Sequence, residues 1–437
     1  MKPQKFKKTE IGKIPEDWEV KTIKEITEAI FSGGTPNTTT PEYWDGDIRW
    51  LSSGETRQTF IRDTERKITE LGIENSSTRL AKKEDVVVAG AGQGYTRGQP
   101  SFCMIDTYVN QSVVVLTSNK KILVPLFLFY NLKSRYDELR QLSDAHSSRG
   151  SLTTKLLANF PIKLPKLDEQ KIISKILSDL DFKIELNQKM NKTLEAIGQA
   201  LFKRWFVDFE FPDENGNPYK SSGGEMVESE LGKIPKGWSV STIGKELKTV
   251  LGGTPSREKK EYWTDGNIAW INSGEINKFP IVNASECITS DAVKNSATQV
   301  MPSRTVVLPF VISVGKEINI SLLGIETCGN QSVLGIIENA NIPSEFIYYW
   351  INFMKEDIYS WATGGAQQHI NKFNVDQTKI LIPLDNIMKE YSVILNPIFK
   401  LIIKNALEIE NLSSIRDSLL PKLMSGEIRV KIGGKDV

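Results

Sequence analysis

Glu10-Ile-Gly-Lys-Ile-Pro15-Glu-Asp-Trp18-Glu-Val20 returns 220 residues later as Glu230-Leu-Gly-Lys-Ile-Pro235-Lys-Gly-Trp238-Ser-Val240. The register then persists. Gly33-Gly-Thr-Pro36 matches Gly252-Gly-Thr-Pro255, Glu42-Tyr-Trp44 matches Glu261-Tyr-Trp263, and Trp50 with Gly54-Glu55 matches Trp270 with Gly274-Glu275. Asn110-Gln-Ser112 and Asn330-Gln-Ser332 close the series. A period this long exceeds that of any solenoid, so each half is a whole domain with an appendage.

The first part of each half holds short β-type runs broken by Gly, Pro, Asn and Ser, among them Asp85-Val-Val-Val-Ala89, Gln111-Ser-Val-Val-Val-Leu116 and Arg304-Thr-Val-Val-Leu308. These predict a small twisted sheet with a few helices. Helices are expected from Pro125 to Gln141 and from Pro343 to Tyr359, each with Pro near its start. The second part of each half differs in kind. From Asp168 to about Phe206 there is no Pro, and apolar residues fall at three-four spacing: Ile173, Leu177, Leu180, Ile184, then Met190, Leu194, Ile197 and Leu201. The C-terminal segment repeats the pattern with Ile394, Ile398, Leu401, Leu412, Ile415 and Leu419. A helix of roughly 38 residues is about 57 Å long. An apolar stripe on such a helix needs a covering partner, so the two helices should pair.

The expected seam is Leu180, Ile184, Asn187, Leu194, Ile197 and Leu201 against Ile398, Leu401, Asn405, Leu412, Ile415 and Leu419. Asn187 and Asn405 occupy matching positions; either they pair across the seam and fix its register, or they sit at its edge in water. The fold class is therefore α+β: two globular domains separated by two long antiparallel helices in a pseudo-twofold dumbbell. The divisions are 1–167 for the first domain, 168–212 for the central helix and linker start, 213–385 for the second domain and 386–437 for the C-terminal helix.

Composition excludes several functions. Lys and Arg number 55 against 54 Asp and Glu, a formal net charge of +1, so any charge for a polyanion must be local. Cys103, Cys287 and Cys328 are far apart without CxxC spacing, which excludes a disulfide framework and a zinc knuckle and fits a reducing cytoplasm. No apolar run approaches the length of a membrane span. His146 and His369 are the sole histidines, which all but removes histidine metal sites and triads. Gly90-Ala-Gly-Gln-Gly94 follows a β-run, but Tyr95-Thr-Arg-Gly-Gln-Pro100 is a poor helix start, so a phosphate or S-adenosylmethionine cradle is not expected there. No GxxxxGK[ST] occurs, Asn396-Pro-Ile-Phe399 lacks the second proline of a base-holding motif, and Glu169-Gln-Lys171 is a lone ExK.

Several segments carry a resemblance over nearly the whole chain: the Gly12-Lys-Ile-Pro-x-x-Trp18 opening, Gly33-Gly-Thr-Pro36, Tyr43-Trp44, Pro165-Lys-Leu-Asp-Glu-Gln-Lys-Ile172, and Leu201-Phe-Lys-Arg-Trp-Phe-Val-Asp-Phe-Glu210 running through Gly216-Asn-Pro-Tyr219. The chain resembles the specificity subunits of Type I restriction-modification systems. That resemblance implies two target recognition domains, each reading one half of an asymmetric bipartite site in double-stranded DNA, with paired helices setting the half-site spacing. It also implies a non-catalytic cytoplasmic subunit with two methyltransferase subunits and restriction or motor subunits as partners. S-adenosylmethionine, ATP and Mg2+ would reside on those partners, with no cofactor, metal or catalytic residue in this chain.

DNA-reading candidates are loop residues able to reach base edges or phosphates: Thr35, Tyr95, Arg97, Ser148, Arg149 and Lys155 in the first domain, and Thr254, Arg257, Lys259, Lys316, Gln367, Gln368 and Lys372 in the second. Asn110-Gln111 and Asn330-Gln331, being repeated, read as framework, and the repeated tryptophans read as core. Phe202, Trp205, Phe206 and Phe209 either dock a methyltransferase subunit or pack the helix end onto a recognition domain. Two departures mark the halves as different. The second helix begins Pro383-Leu-Asp-Asn-Ile-Met388 without Glu-Gln, and Pro309-Phe-Val-Ile-Ser313 replaces Gly90 to Gly94. The alternatives are an independent sequence-specific DNA-binding protein, or a fused methyltransferase or nuclease with unrecognised motifs.

Overall fold

The computed structural model describes residues 5–92, 94–145, 150–313, 318–362, 364 and 367–431. It divides into two compact units, Met1–Lys183 with Leu412–Val437, and Ile184–Asn411.

The first unit is built on two sheets. Strands β1 (Thr27–Ser32), β2 (Trp44–Leu51), β3 (Phe60–Ile61), β4 (Arg66–Ile68), β5 (Arg79–Ala81), β6 (Val86–Ala89), β7 (Pro100–Cys103), β8 (Thr107–Val109) and β9 (Val113–Ser118) form a five-stranded sheet ordered β1-β9-β6-β7-β3 and a four-stranded sheet ordered β4-β2-β8-β5. The unbroken valine runs have a simple cause. Val86, Val88, Val114 and Leu116 face the helices, while Val87, Val113 and Val115 face the other way into a cluster with Leu51 and Val109 of the second sheet. Both faces are covered, so period-two alternation in polarity disappears. The opening motif then closes the domain: Glu19–Thr22 pairs antiparallel with Pro161–Leu164, the last strand before the long helix.

One expected helix is in fact two, α1 (Pro125–Ser134) and α2 (Tyr136–Asp144). The break is at Arg135, whose φ of −120° and ψ of 29° leave the helical region. Its guanidinium binds Glu138 and the Pro161 carbonyl and lies 4.0 Å from the Phe160 ring centre.

The second unit repeats the plan. Strands β10 (Lys248–Leu251), β11 (Ile268–Ile271), β12 (Glu286–Ile288), β13 (Val300–Met301), β14 (Val306–Pro309), β15 (Val311–Ser313), β16 (Ser321–Leu322), β17 (Thr327–Gly329), β18 (Val333–Ile337) and β19 (Gln367–His369) form sheets β10-β18-β14-β16, β12-β11-β17-β13 and the ribbon β15-β19. Ser239–Thr242 pairs with Lys379–Ile382 as the closing strands. The ribbon has no counterpart among the described residues of the first unit; it arises where Val-Ile-Ser replaces the glycine-rich loop.

Two long helices, α3 (Leu167–Phe202) and Asp385–Ser425, contribute to both units. In the first unit Ile173 and Leu177 join Leu420, Leu423 and Met424 in the core, and Glu169 meets Arg429 while Asp181 meets Arg416. In the second, Asn187 Nδ2 donates to Glu408 Oε2 at 2.9 Å, and Asn191 Nδ2 donates to the Ile402 carbonyl at 3.0 Å. Partners descend one helix as they ascend the other, so within each unit the helices run antiparallel.

The seam corrects the expected one. Asn187 and Asn405 are both buried, yet they do not pair: Asn405 Nδ2 donates to Asn191 Oδ1 at 2.9 Å. Ile184 is buried, and Leu180, Leu194, Leu201, Ile398, Leu412 and Leu419 are half-buried, whereas Ile197, Leu401 and Ile415 are 49, 37 and 39% exposed. Gly198, Leu395, Ile402 and Ala406 take the inward positions instead. A Cβ at Gly198 would lie 2.2 Å from Tyr349 Oη, an approach that only glycine permits.

α3 ends in a π-helical turn, Lys203–Val207, with Asp208 N–H donating to the Lys203 carbonyl at 2.9 Å and Phe209 at φ 61°. The extra residue rotates Trp205 and Phe206 inward. Among the described residues no helix is long and apolar enough to cross a membrane.

Candidate nucleic-acid interface

The shared framework comes first. In the first domain Thr35 Oγ1 donates to Gln111 Oε1 at 2.5 Å, and Asn110 Oδ1 accepts the Ser112 N–H at 3.0 Å. In the second, Thr254 Oγ1 donates to Gln331 Oε1 at 2.6 Å, and Asn330 Oδ1 accepts the Ser332 N–H at 2.9 Å. The Gly-Gly-Thr-Pro loop is thus tied to the Asn-Gln-Ser turn in both domains. Thr35 and Thr254 share that framework with Gln111 and Gln331.

Both domains also carry a perpendicular tryptophan pair, Trp44 with Trp50 at 5.1 Å and Trp263 with Trp270 at 5.0 Å between ring centres. An arginine stacks on each, by a different route. Arg66 of β4 lies 3.5 Å from the Trp44 ring centre. Its counterpart on β12 is Glu286, and Arg257 takes its place, 3.6 Å from the Trp263 ring centre and bidentate to Glu286 at 2.5 and 2.9 Å. The hydrogen bond to Glu286 pushes the Arg257 guanidinium up and holds the Glu286 carboxyl below its ordinary value. Arg257, a sequence candidate for DNA, is therefore engaged within its own domain.

Other candidates divide the same way. Arg97 is 8% exposed, with Nη1 donating to the Gly150 carbonyl at 2.9 Å and Nη2 to Asp144, so it fastens the glycine-rich loop to the end of α2. Lys259 Nζ donates to Tyr262 Oη at 3.0 Å and Lys372 Nζ to Asp376 Oδ2 at 2.6 Å. Each of these cations thus has a partner within its own domain. Tyr95 differs, being 82% exposed at a loop tip that Tyr136 Oη and Arg140 Nη1 hold through the carbonyls of Tyr95 and Gly94, at 3.0 and 2.8 Å. Lys155 is exposed on the short helix Thr154–Ala158. Gln368 is half-buried in β19, opposite Ile312, and Gln367 pairs through its backbone with Ser313. Ser148, Arg149 and Lys316 lie outside the described residues.

Sequence reasoning missed Arg66, and it missed Trp361 and Phe373, which are 68 and 69% exposed on either side of the β19 segment. An aromatic beside a Gly-Gly turn was the available signal. The aromatic quartet is corrected too. Phe202, Trp205 and Phe206 are 2 to 4% exposed, and Phe206 packs 4.9 Å from Phe346, 4.8 Å from Tyr391 and 5.8 Å from Trp238. Phe209 packs edge-on to Trp238 at 5.8 Å. Phe202, Trp205 and Phe206 are core, and Phe209 is half-buried beside them.

Among the described residues, β6 leads through a loop to β7 without an intervening helix. Glu169 is buried, accepting from Trp18 Nε1 at 3.0 Å and Arg429 Nε at 2.6 Å, and Gln170 is spent on the Val124 N–H and the Ile122 and Pro165 carbonyls. At the second helix start the corresponding side chains, Ile387 and Met388, are buried by apolar packing instead. Phe399 sits fully buried against Tyr348 and Tyr349. Among the described residues no group of His, Cys, Asp and Glu is placed to hold a metal.

Residues 15–196 and 235–411 both match the family profile of the Type I restriction modification DNA specificity domain. The chain is 30% identical over 436 residues to the Type I restriction enzyme MjaIX specificity subunit of Methanocaldococcus jannaschii, spanning 98% of this chain and 97% of that one. It is 25% identical over 380 residues to the Type I restriction enzyme HindI specificity subunit of Haemophilus influenzae, spanning 74 and 82%. The crystal structure of a Type-I restriction-modification S subunit from M. genitalium has the same fold, with a TM-score of 0.58, 15% identity and coverage of 93 and 96%.

The chain is a duplicated domain with a constant framework, divergent loops and a long helix after each copy. The chain belongs to the Type I restriction-modification DNA specificity family, as a specificity subunit with two target recognition domains.

Proposed function

We propose that each recognition domain reads one half of an asymmetric, split DNA target, and that the chain works in the cytoplasm within a complex whose other subunits perform methylation and restriction. The observation that carries this is the contrast between repeated and unrepeated parts. Thr35–Gln111 and Thr254–Gln331 are the same contact twice, whereas the loop from Gly90 to Gly98 in one domain corresponds in sequence to the start of the β15-β19 ribbon in the other. A shared scaffold with different reading elements specifies two different half-sites.

The paired helices set the half-site spacing and offer the docking surface for two methyltransferase subunits. Leu186, Ile197, Val393, Ile394 and Leu407 are 43 to 75% exposed along them, a surface that Phe202, Trp205 and Phe206 do not supply. S-adenosylmethionine, ATP and Mg2+ belong to the partner subunits. Co-expression with the methyltransferase subunit from its source, followed by mapping of methylated adenines, tests the assignment. A split asymmetric motif that vanishes when this chain is omitted is the expected result; unchanged methylation would favour an independent DNA-binding protein.

A further inference from the structure

The near-zero net charge of the chain conceals a division between its halves. Residues 1–167 hold 25 Lys and Arg against 20 Asp and Glu, and residues 213–385 hold 15 against 20. The excess has a location. Strand pairing makes the two four-stranded sheets superimposable position by position: Trp50 is opposite Arg66 and Arg49 opposite Lys67 in one, Trp270 opposite Glu286 and Ala269 opposite Cys287 in the other. Across β8 and β17 the same matching sets Arg79 against Gln299. The turn that follows β5 adds Lys82 and Lys83, where the second domain has Pro302 and Ser303.

Six cations of the first sheet and its turn are thus replaced by neutral residues and one carboxylate. The exchange runs the other way at Glu74 and Glu84, whose counterparts are Lys294 and Arg304, although Arg304 is paired with Glu338 and Glu345. Lys67, Lys82 and Lys83 are exposed. Arg66 and Arg79 lie flat on Trp44 and Phe31, which orients their guanidinium edges without neutralising them, while Arg49 is paired with Asp63 at 2.9 Å. Carboxylates hold other cations in both domains: Lys21, Arg97, Lys120 and Arg135 in the first, and Lys233, Lys236, Arg257, Lys372 and Lys379 in the second.

We propose that the first recognition domain is the electrostatic anchor of the molecule on DNA, its β4-β2-β8-β5 sheet and the Lys82-Lys83 turn contacting phosphates, while the second domain engages its half-site with few phosphate contacts. This rests on the DNA-reading assignment above and adds a division of labour within it. At the first domain a sequence-independent counterion-release term then adds to the reading of its half-site; binding at the second depends mainly on base contact and shape.

The test uses the full chain assembled with its methyltransferase subunits and a mixed-sequence duplex of about 40 base pairs, with binding measured across a salt series. One variant is Lys67→Gln with Lys82→Gln and Lys83→Gln; its control is Lys245→Gln with Lys248→Gln and Lys260→Gln, all exposed in the second domain. The first triple should make the slope of log affinity against log salt shallower by about two to three, and the control by less than one. Equal changes in both, or an unchanged slope in the first, overturn the proposal; the latter would point to an acidic protein surface as the partner of the basic sheet. Loss of all duplex binding by the unmodified complex would instead remove the DNA-reading assignment itself.

Discussion

Arg416 Nη1 donates to Asp181 Oδ1 at 2.6 Å, in an interior where the Asp181 side chain is 3% exposed. The same carboxylate accepts from Tyr130 Oη at 2.9 Å and lies 3.4 Å from Lys133 Nζ. It joins α1 to both long helices in the first unit. Asp181→Ala leaves Lys133 without its counterion and Arg416 with only the exposed Asp417, and the expected loss is about 3 to 5 kcal/mol. Arg416→Met should cost less, because Lys133 and Tyr130 still serve the carboxylate. Denaturant midpoints of the two variants decide the order; a smaller loss for Asp181→Ala would contradict this account.

The Asn191 and Asn405 amides bind each other in the second unit, at 9 and 4% exposure. Replacing one with Leu strands the other, a penalty of about 1 to 3 kcal/mol. The double Leu variant should recover part of that loss, and a double-mutant cycle measures the coupling. Additive losses would show that the two amides act independently.

Phe206→Ala empties a site bounded by Phe346, Tyr391 and Trp238, and should lower stability by about 3 to 5 kcal/mol. Near-ultraviolet circular dichroism and thermal unfolding are the readouts. A stable variant with weakened methyltransferase binding would restore the docking role that burial argues against.

Burial pushes the hydroxyls of Tyr130, Tyr348, Tyr349, Tyr359 and Tyr391 above the ordinary tyrosine value, with Asp181 adding to the effect at Tyr130 and Glu195 at Tyr348. Because the folded-state values are raised, their contribution to stability is complete below the unfolded value of about 10 and is lost as the pH climbs past it. In a phenolate absorbance titration these five of the 11 tyrosines should ionise together with unfolding. Gradual ionisation of all 11 in a folded protein would refute it.

Tyr95→Ala removes an aromatic that is 82% exposed and whose loop is held by backbone contacts. Stability should change by less than about 0.5 kcal/mol. Methylation at the first half-site should fall while the second half-site is still read. Unaltered half-site preference would exclude Tyr95 from DNA.

The repeat and the long helices were legible because each is a backbone-scale pattern of residue types. The seam was less so. Scanning for apolar residues at three-four spacing skips Asn191, Gly198 and Ala406, which face inward because close approach or a buried amide pair is what those positions require. Ile197, Leu401 and Ile415 satisfied the spacing from the outer flank of a wide stripe. At the candidate site the difficulty was different. Arg97, Arg257, Lys259 and Lys372 have the right chemistry for phosphate, but their partners Asp144, Glu286, Tyr262 and Asp376 are set by the fold or lie within one turn, and no motif marks a satisfied cation. The quartet from Phe202 to Phe209 was conspicuous, yet its packing partners lie up to about 190 residues away in the chain.

Arg429 binds both Asp17 and Glu169, and its bond to Asp17 spans 412 residues. Residues 412–431 complete the first unit, whereas the second unit, Ile184–Asn411, is continuous. On a ribosome adding about 5 to 20 residues per second, roughly 20 to 80 s separate the synthesis of those two side chains. During translation the domain made second has all its parts first. The domain made first waits, with Trp18 and the apolar flank of its helix uncovered, until the far end of the chain emerges to close it.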